Sequence, residues 1–165
     1  MNTTTNLRQT LLNGSKKVAI MMAMLLTLGA SYSFANTPDS ASREISSDIR
    51  SSFKRDFQNA RIISAEVRKN FTKLTFRMDD MVMFAYYSGN GELLAITRNI
   101  VSSQLPLNLQ MTLRNNYNGY WITELFELSG DNDNCYYVSL ESADSKVTLR
   151  SNGDTWEVYS SSIKK

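Results

Sequence analysis

Apolar residues return at every fourth position in two places along the chain. Ile45, Ile49, Phe53 and Phe57 form one stripe, and Leu105, Leu109, Leu113 and Tyr117 form the other. That spacing predicts two amphipathic helices, with Arg50, Lys54, Arg55 and Asp56 off the first stripe and solvated. Asn59 and the Asn118-Gly119 pair supply stop signals, because both residue types tolerate the left-handed backbone that often ends a helix. Pro106 falls at the start of the second helix, where the missing N–H does least harm.

After each helix the period changes from four to two. Ile63, Ala65 and Val67 alternate with Ser64, Glu66 and Arg68, and Leu74, Phe76 and Met78 alternate with Lys73, Thr75 and Arg77. Lys69-Asn70 and Asp79-Asp80 turn the chain between these runs. The stretch MVMFAYYSGNGELLAITR, Met81 to Arg98, then reads as a hairpin around Asn90-Gly91, a pair suited to a type I′ turn. The second helix is followed by strand patterns at Trp121–Leu128, Cys135–Glu141, Lys146–Ser151 and Thr155–Ser160, with a polar loop over Ser129–Asn134 and a second Asn-Gly at Asn152-Gly153. Phe57 to Asn90 spans 33 residues and Tyr117 to Asn152 spans 35, so the helix-to-turn distance recurs. The expectation is an α+β fold of tandem α-ββββ repeats, residues 44–101 and 105–163, forming antiparallel sheet with the helices on one face. Ile49, Phe53, Phe57, Leu109, Leu113 and Tyr117 are expected to pack on Leu74, Phe76, Ala85, Ile96, Val138, Leu149, Trp156 and Val158.

The first 35 residues have a different character. Lys16-Lys17 precede an apolar run of 13 residues, Val18–Ala30, and small residues stand at Ser33 and Ala35. This is the pattern of a secretory signal cut before Asn36. The run is shorter than the ~20 apolar residues that cross a bilayer, so no stable membrane insertion is expected after cleavage. Asn36–Arg43 reads as a flexible lead-in. The protein is expected to be periplasmic or secreted.

Charge and composition narrow the chemistry further. Removing Arg8, Lys16 and Lys17 from the 18 basic residues leaves 15 against 16 acidic, so the exported part carries a net −1 and nothing points to nucleic acid. The chain has no histidine, which removes the commonest general base and transition-metal ligand together. Cys135 is the only cysteine, so stability must come from a packed core and not from an internal disulfide.

The helix stripe with Asn59-Ala60 after it, the run A-Y-Y-x-G-N-G-E-L at Ala85–Leu93, Thr97-Arg98 and Leu105-Pro106 resemble the PepSY-like proteins of Bacteroidota. That family is similar to β-lactamase-inhibitor protein, and the resemblance implies tandem helix-plus-four-strand units and brings no catalytic residues to carry over. The single cysteine sets the chain apart from that inhibitor, which has a disulfide pair, and argues against reading lactamase inhibition into the likeness.

Motifs that suggest chemistry dissolve on inspection. Asp131-Asn132-Asp133-Asn134 offers oxygen ligands at alternate positions, but the glycine and glutamate of a calcium loop are replaced by Tyr136 and Ser142. Gly89-Asn90-Gly91 lacks the third glycine and following helix of a dinucleotide site. Ser51 and Lys54 have S-x-x-K spacing without the companion elements of penicillin-recognising enzymes. Glu124, Glu127 and Glu141 would need to face one another across a cleft to act as an acid pair. Cys135 has no histidine to activate it. The expectation is therefore a non-enzymatic protein with no metal and no cofactor.

Strand alternation points to a working surface. If Leu74, Phe76, Ala85, Tyr87, Ile96, Val138 and Leu149 face the helices, then Lys73, Thr75, Arg77, Phe84, Tyr86, Thr97, Tyr137, Arg150 and Tyr159 face away. Aromatic and arginine side chains are enriched where proteins bind proteins. The expected function is engagement of a protein or peptide partner, with Phe84, Tyr86, Tyr137 and Tyr159 as anchors and Arg77 and Arg150 as hydrogen-bond donors, as in an inhibitor or regulator of an envelope enzyme. Shielding of Phe84, Tyr86 and Tyr137 by the other repeat or the C-terminal tail is the competing reading. A self-associating structural or envelope-assembly component is the second function.

Overall fold

The computed structural model describes residues 45–129 and 134–164, the side chain of Asn152 excepted; the expected signal and lead-in, and Asp131 to Asp133 of the polar loop, lie outside these. The order is helix α1 (Ser47–Asp56), strands β1 (Arg61–Val67), β2 (Thr72–Met78), β3 (Met81–Tyr87) and β4 (Leu93–Asn99), a 3-10 turn over Ser102–Gln104, helix α2 (Leu107–Asn116), and strands β5 (Trp121–Ser129), β6 (Asn134–Glu141), β7 (Ser145–Asn152) and β8 (Thr155–Ile163). All eight strands join one sheet in sequence order, each antiparallel to the next.

Both four-residue stripes form helices that bury them. Ser46 caps α1 through its hydroxyl, which accepts from the Ile49 N–H at 3.3 Å. Asp48 stands in the first turn and Lys54 and Arg55 in the last, complementing the helix dipole. Ile45, Ile49, Phe53 and Phe57 pack with Leu74, Phe76, Met83, Ala85 and Tyr87. The rings of Phe53, Phe57 and Phe76 meet at 4.6 to 5.2 Å between centroids. Leu105, Leu109 and Leu113 form a second cluster with Leu125, Val138, Leu140, Val147 and Leu149, joined by half-buried Tyr117 and Trp156. The Trp156 indole N–H donates to the Leu109 carbonyl at 3.0 Å, tying β8 to α2.

Register shows that the two clusters share a face. Ile96 packs in the first cluster and Leu125 in the second. Arg98 and Glu127 are opposite one another on β4 and β5, each two residues from those apolar positions. Their side chains therefore point to the helix side, where they pair at 2.6 Å.

Several local expectations shift. A bulge in β1 between Ile62 and Ser64 puts Ile62 and Ala65 on the core side. Ile63, expected inside, is exposed because the extra residue changes the phase of the alternation there, whereas Val67 keeps the phase of Ala65 and is exposed at the end of β1. Val158, expected in the core, is 61% exposed on the edge strand β8, where Trp156 is the residue packed against the second cluster. The helices end at Asp56 and Asn116, and neither Asn59 nor Asn118-Gly119 adopts a positive φ. Instead the backbone N–H groups of Phe57 and Tyr117 close the last turns onto Phe53 and Leu113. Pro106 is the N-cap, one residue before the helix.

The turns are also redistributed. Asp79 and Asp80 have φ of 48° and 62° between the paired Met78 and Met81, the sign pattern of a type I′ turn. At the Asn90-Gly91 hairpin only Gly91 has positive φ, and its N–H donates to the Ser88 carbonyl at 3.0 Å, giving a three-residue loop. A Cβ on Gly91 would lie 3.1 Å from the Asp48 backbone, so this loop fits closely against the start of α1. In the last hairpin Asn152 pairs with Thr155 and the two-residue turn is Gly153-Asp154, with Gly153 at φ 63°.

Candidate binding face of the sheet

The face away from the helices can be traced by cross-strand neighbours. One row runs Ser64, Thr75, Phe84, Thr97, Leu128 and Cys135. Another runs Asn99, Phe126, Tyr137, Arg150 and Glu157. Arg77 and Tyr86 occupy the same face on β2 and β3. Tyr159 sits where β8 slips register between Leu149 and Thr148, and its ring meets Tyr137 edge-on at 5.7 Å. All six candidate residues thus lie on the side the alternation assigns them. They fall into two groups.

Over β5–β8, Tyr137 stacks on Phe126 at 5.3 Å and 11° between planes, while the Arg150 guanidinium lies 5.9 Å from its ring centre. Tyr137 is only 1% exposed. Burial, reinforced by Cys135 beside it, pushes its hydroxyl above the ordinary tyrosine range. Cys135 is itself buried, as expected of a structural thiol.

Over β2–β4, Tyr86 is also 1% exposed, with the Phe71 ring 5.8 Å away. Burial pushes its pKa up to about 12; a hydrogen bond with Thr97 opposes the rise and the Glu66 charge adds to it. Phe84 is half-buried, with the Lys73 ammonium 4.6 Å from its ring centre. Lys73 also lies 3.6 Å from Glu66. Arg77 is exposed. Below Phe84 the β3–β4 ladder stops, while β4 continues beside β5 through Arg98 and Asn99, which pair with Glu127 and Phe126. A recess of about 310 Å³ lies at this fork, lined by Met81, Val82, Phe84, Arg98, Asn99 and Gln104.

Tyr86 and Tyr137 were expected as accessible anchors, and their burial corrects that placement. Alternation sets the direction of a side chain, but Phe71, Phe126 and Tyr159 close over these two rings. Phe126 carried a readable signal, since it alternates with Leu125 on a strand; Phe71 lies between strands and carried none. The three glutamates do not converge: Glu127 points to the helix side with Arg98, whereas Glu124 accepts from Ser139 on the opposite face. Glu141 is bound by Lys146 and Lys164, the Lys164 hydrogen bond being the foremost cause of its lowered pKa. Ser51 and Lys54 are exposed on α1. Among the described residues no cluster of metal-ligating side chains occurs, and no helix is long and apolar enough to cross a membrane.

Neither a protein-family model nor a curated protein sequence matches the chain. Solved structures do. A DUF2874 family protein from Bacteroides uniformis superposes with a TM-score of 0.63 at 10% identity, over 72% of this chain and 89% of that one. A BLIP-like protein from Bacteroides fragilis gives 0.61 at 18% identity, over 76% and 92%. A provisionally periplasmic protein from Bacteroides eggerthii gives 0.62 at 9%, over 72% and 88%. The described residues form an antiparallel eight-stranded open sheet with two α-helices, matching the fold of the BLIP-like neighbour.

Proposed function

We propose that this protein is an exported, non-catalytic binding module that engages a protein or peptide partner through the sheet face its helices leave uncovered. The observation that carries the reading is the one-sided cover: both helices pack on the same face, while the other presents Arg77, Phe84, Arg150 and Tyr159 at least partly to solvent. Tyr86 and Tyr137 support this surface from beneath. The likeness to BLIP-like and DUF2874 folds favours a binding role over catalysis, and the provisionally periplasmic neighbour agrees with a cleaved signal at residues 1–35. Residues 44–101 and 105–163 are read as two copies of one α-ββββ unit of the PepSY-like kind, fused edge to edge through β4 and β5.

A photo-reactive residue replacing Phe84 or Tyr159 is expected to capture a partner in the cell envelope, and one replacing exposed Arg114 on α2 is not. Capture from Arg114 alone overturns the reading. Self-association as an envelope component is the second reading, favoured by the two sheet edges, β1 and β8, which pair with no further strand among the described residues. Light scattering that shows a concentration-dependent oligomer would establish it.

A further inference from the structure

We propose that Arg61, Arg77 and the recess beside Val82 form a binding centre for an acidic protein segment that carries an apolar side chain next to its carboxylate. This rests on reading the uncovered face as a partner-binding surface, and it assigns the place on that face and the chemistry of the partner.

The β1–β2 register sets Arg61 opposite Arg77, both exposed and both on the uncovered face. Like charges directly opposed across two strands repel. Several basic side chains on the sheet are matched: Arg68 and Lys73 with Glu66, Arg98 with Glu127, Lys146 and Lys164 with Glu141. No ion pair or hydrogen bond engages the side chain of Arg61 or Arg77 among the described residues. Two neighbouring guanidiniums with open donors are a receptor for one carboxylate, which accepts forked hydrogen bonds and relieves the repulsion.

The apolar half of the site adjoins this pair. Val82 is the cross-strand partner of Arg77, is 42% exposed, and forms part of the recess wall. The recess exists because β3 loses its β4 neighbour at Met81–Met83, so it belongs to the sheet framework. Arg98 in its lining is already paired with Glu127, so the recess adds no second open cation there. A carboxylate on the arginines therefore puts the adjoining side chain of the same partner at Val82 and Phe84. Acidic Asp79 and Asp80 in the turn that follows Arg77 favour a single localised carboxylate over an anionic lipid surface, which calls for a broad basic patch.

The test uses the full chain, titrated by NMR with a decapeptide alternating glutamate and leucine. Shifts are expected at Arg61, Arg77, Val82 and Phe84, with binding weakened about tenfold or more when glutamine replaces glutamate in the peptide. The double variant Arg61→Gln/Arg77→Gln should lose affinity by a similar factor while its remaining amide spectrum stays that of the parent. Shifts confined to Arg150 and Tyr159, or no shift at all, would overturn this centre and leave the uncovered-face reading standing. Shifts confined to α1 and α2 would overturn both. Equal binding of the two peptides, binding to phosphatidylserine vesicles alone, or concentration-dependent shifts at Arg61 and Arg77 without peptide would each overturn the acidic-segment assignment, the last in favour of a second copy of this chain.

Discussion

The uncovered face is built twice from the same kinds of residue, with opposite results. Over β5–β8, arginine and aromatic side chains are packed together: Arg150 lies against Tyr137 with its Nε buried and without a hydrogen bond among the described residues, and Phe126 and Tyr159 enclose that ring. Over β1–β3, Lys73 reaches Phe84 and Glu66, but Arg61 and Arg77 face each other across two strands without an acid between them. The first arrangement is packing and the second is an open demand for charge. Composition does not separate them, since each has aromatic rings and cationic groups. Neighbours do.

The most forceful way to break this comparison is to truncate the enclosed ring. Tyr137→Ala should cost about 3–5 kcal/mol in urea denaturation, as large buried aromatic truncations do. Phe84→Ala, on a half-buried ring, should cost about 1 kcal/mol. Equal losses would mean that the two halves are packed alike.

Alkaline titration sharpens the contrast by a smaller amount. Tyr86 has a folded pKa of about 12 against an ordinary value of 10.0. Its raised value means that the folded state favours the neutral phenol. That contribution is complete below pH 10 and is lost as pH rises from 10 through about 12. The loss should amount to about 3 kcal/mol. Tyrosinate absorbance and chemical denaturation across that window should show it, and Tyr86→Phe should flatten the Tyr86 share; an unchanged slope would place the Tyr86 hydroxyl in water.

The tight turn beside Arg77 offers a gentler probe. Asp79 and Asp80 both sit at positive φ, which costs any residue with a Cβ. Asp80→Gly should stabilise by up to about 1 kcal/mol in thermal unfolding, and destabilisation would mean that the side chain repays the strain. Smallest of all, Arg77→Gln should change stability by less than about 0.5 kcal/mol, because an exposed group with no partner holds nothing in place. A loss above about 1 kcal/mol would show that Arg77 is structural.

What was legible in the chain follows from the same distinction. The Ile45–Phe57 and Leu105–Tyr117 stripes identified both helices because burying one side of a helix requires that period. The strand alternation put Leu74, Phe76, Ala85, Ile96, Val138 and Leu149 with the helices and the six candidate residues on the other face. Ile63 was misread because a bulge has no residue signature in Ile62-Ile63-Ser64, and Val67 because alternation does not tell that a strand end lies outside the cover. Val158 was misread because alternation does not say where a helix's cover stops. Turn chemistry misled for a related reason: Asn-Gly is permissive, yet the type I′ geometry went to Asp79-Asp80, where a two-residue connection between fully paired strands demands it. The burial of Tyr86 and Tyr137, and the isolation of Arg61 with Arg77, depend on contacts from several strands at once, and no single window of sequence holds them.

The strictly sequential strand order has a kinetic consequence. Each strand pairs only with its neighbours in sequence, so no pairing waits for a distant part of the chain. The widest gap to be closed is that between Asn99 and Trp121, and α2 occupies much of it. Contact order is therefore low for a sheet of this size, and low contact order accelerates folding. A chain folding as it is made, N-terminus first, adds one strand at a time to a growing ladder, with β8 the last edge laid down.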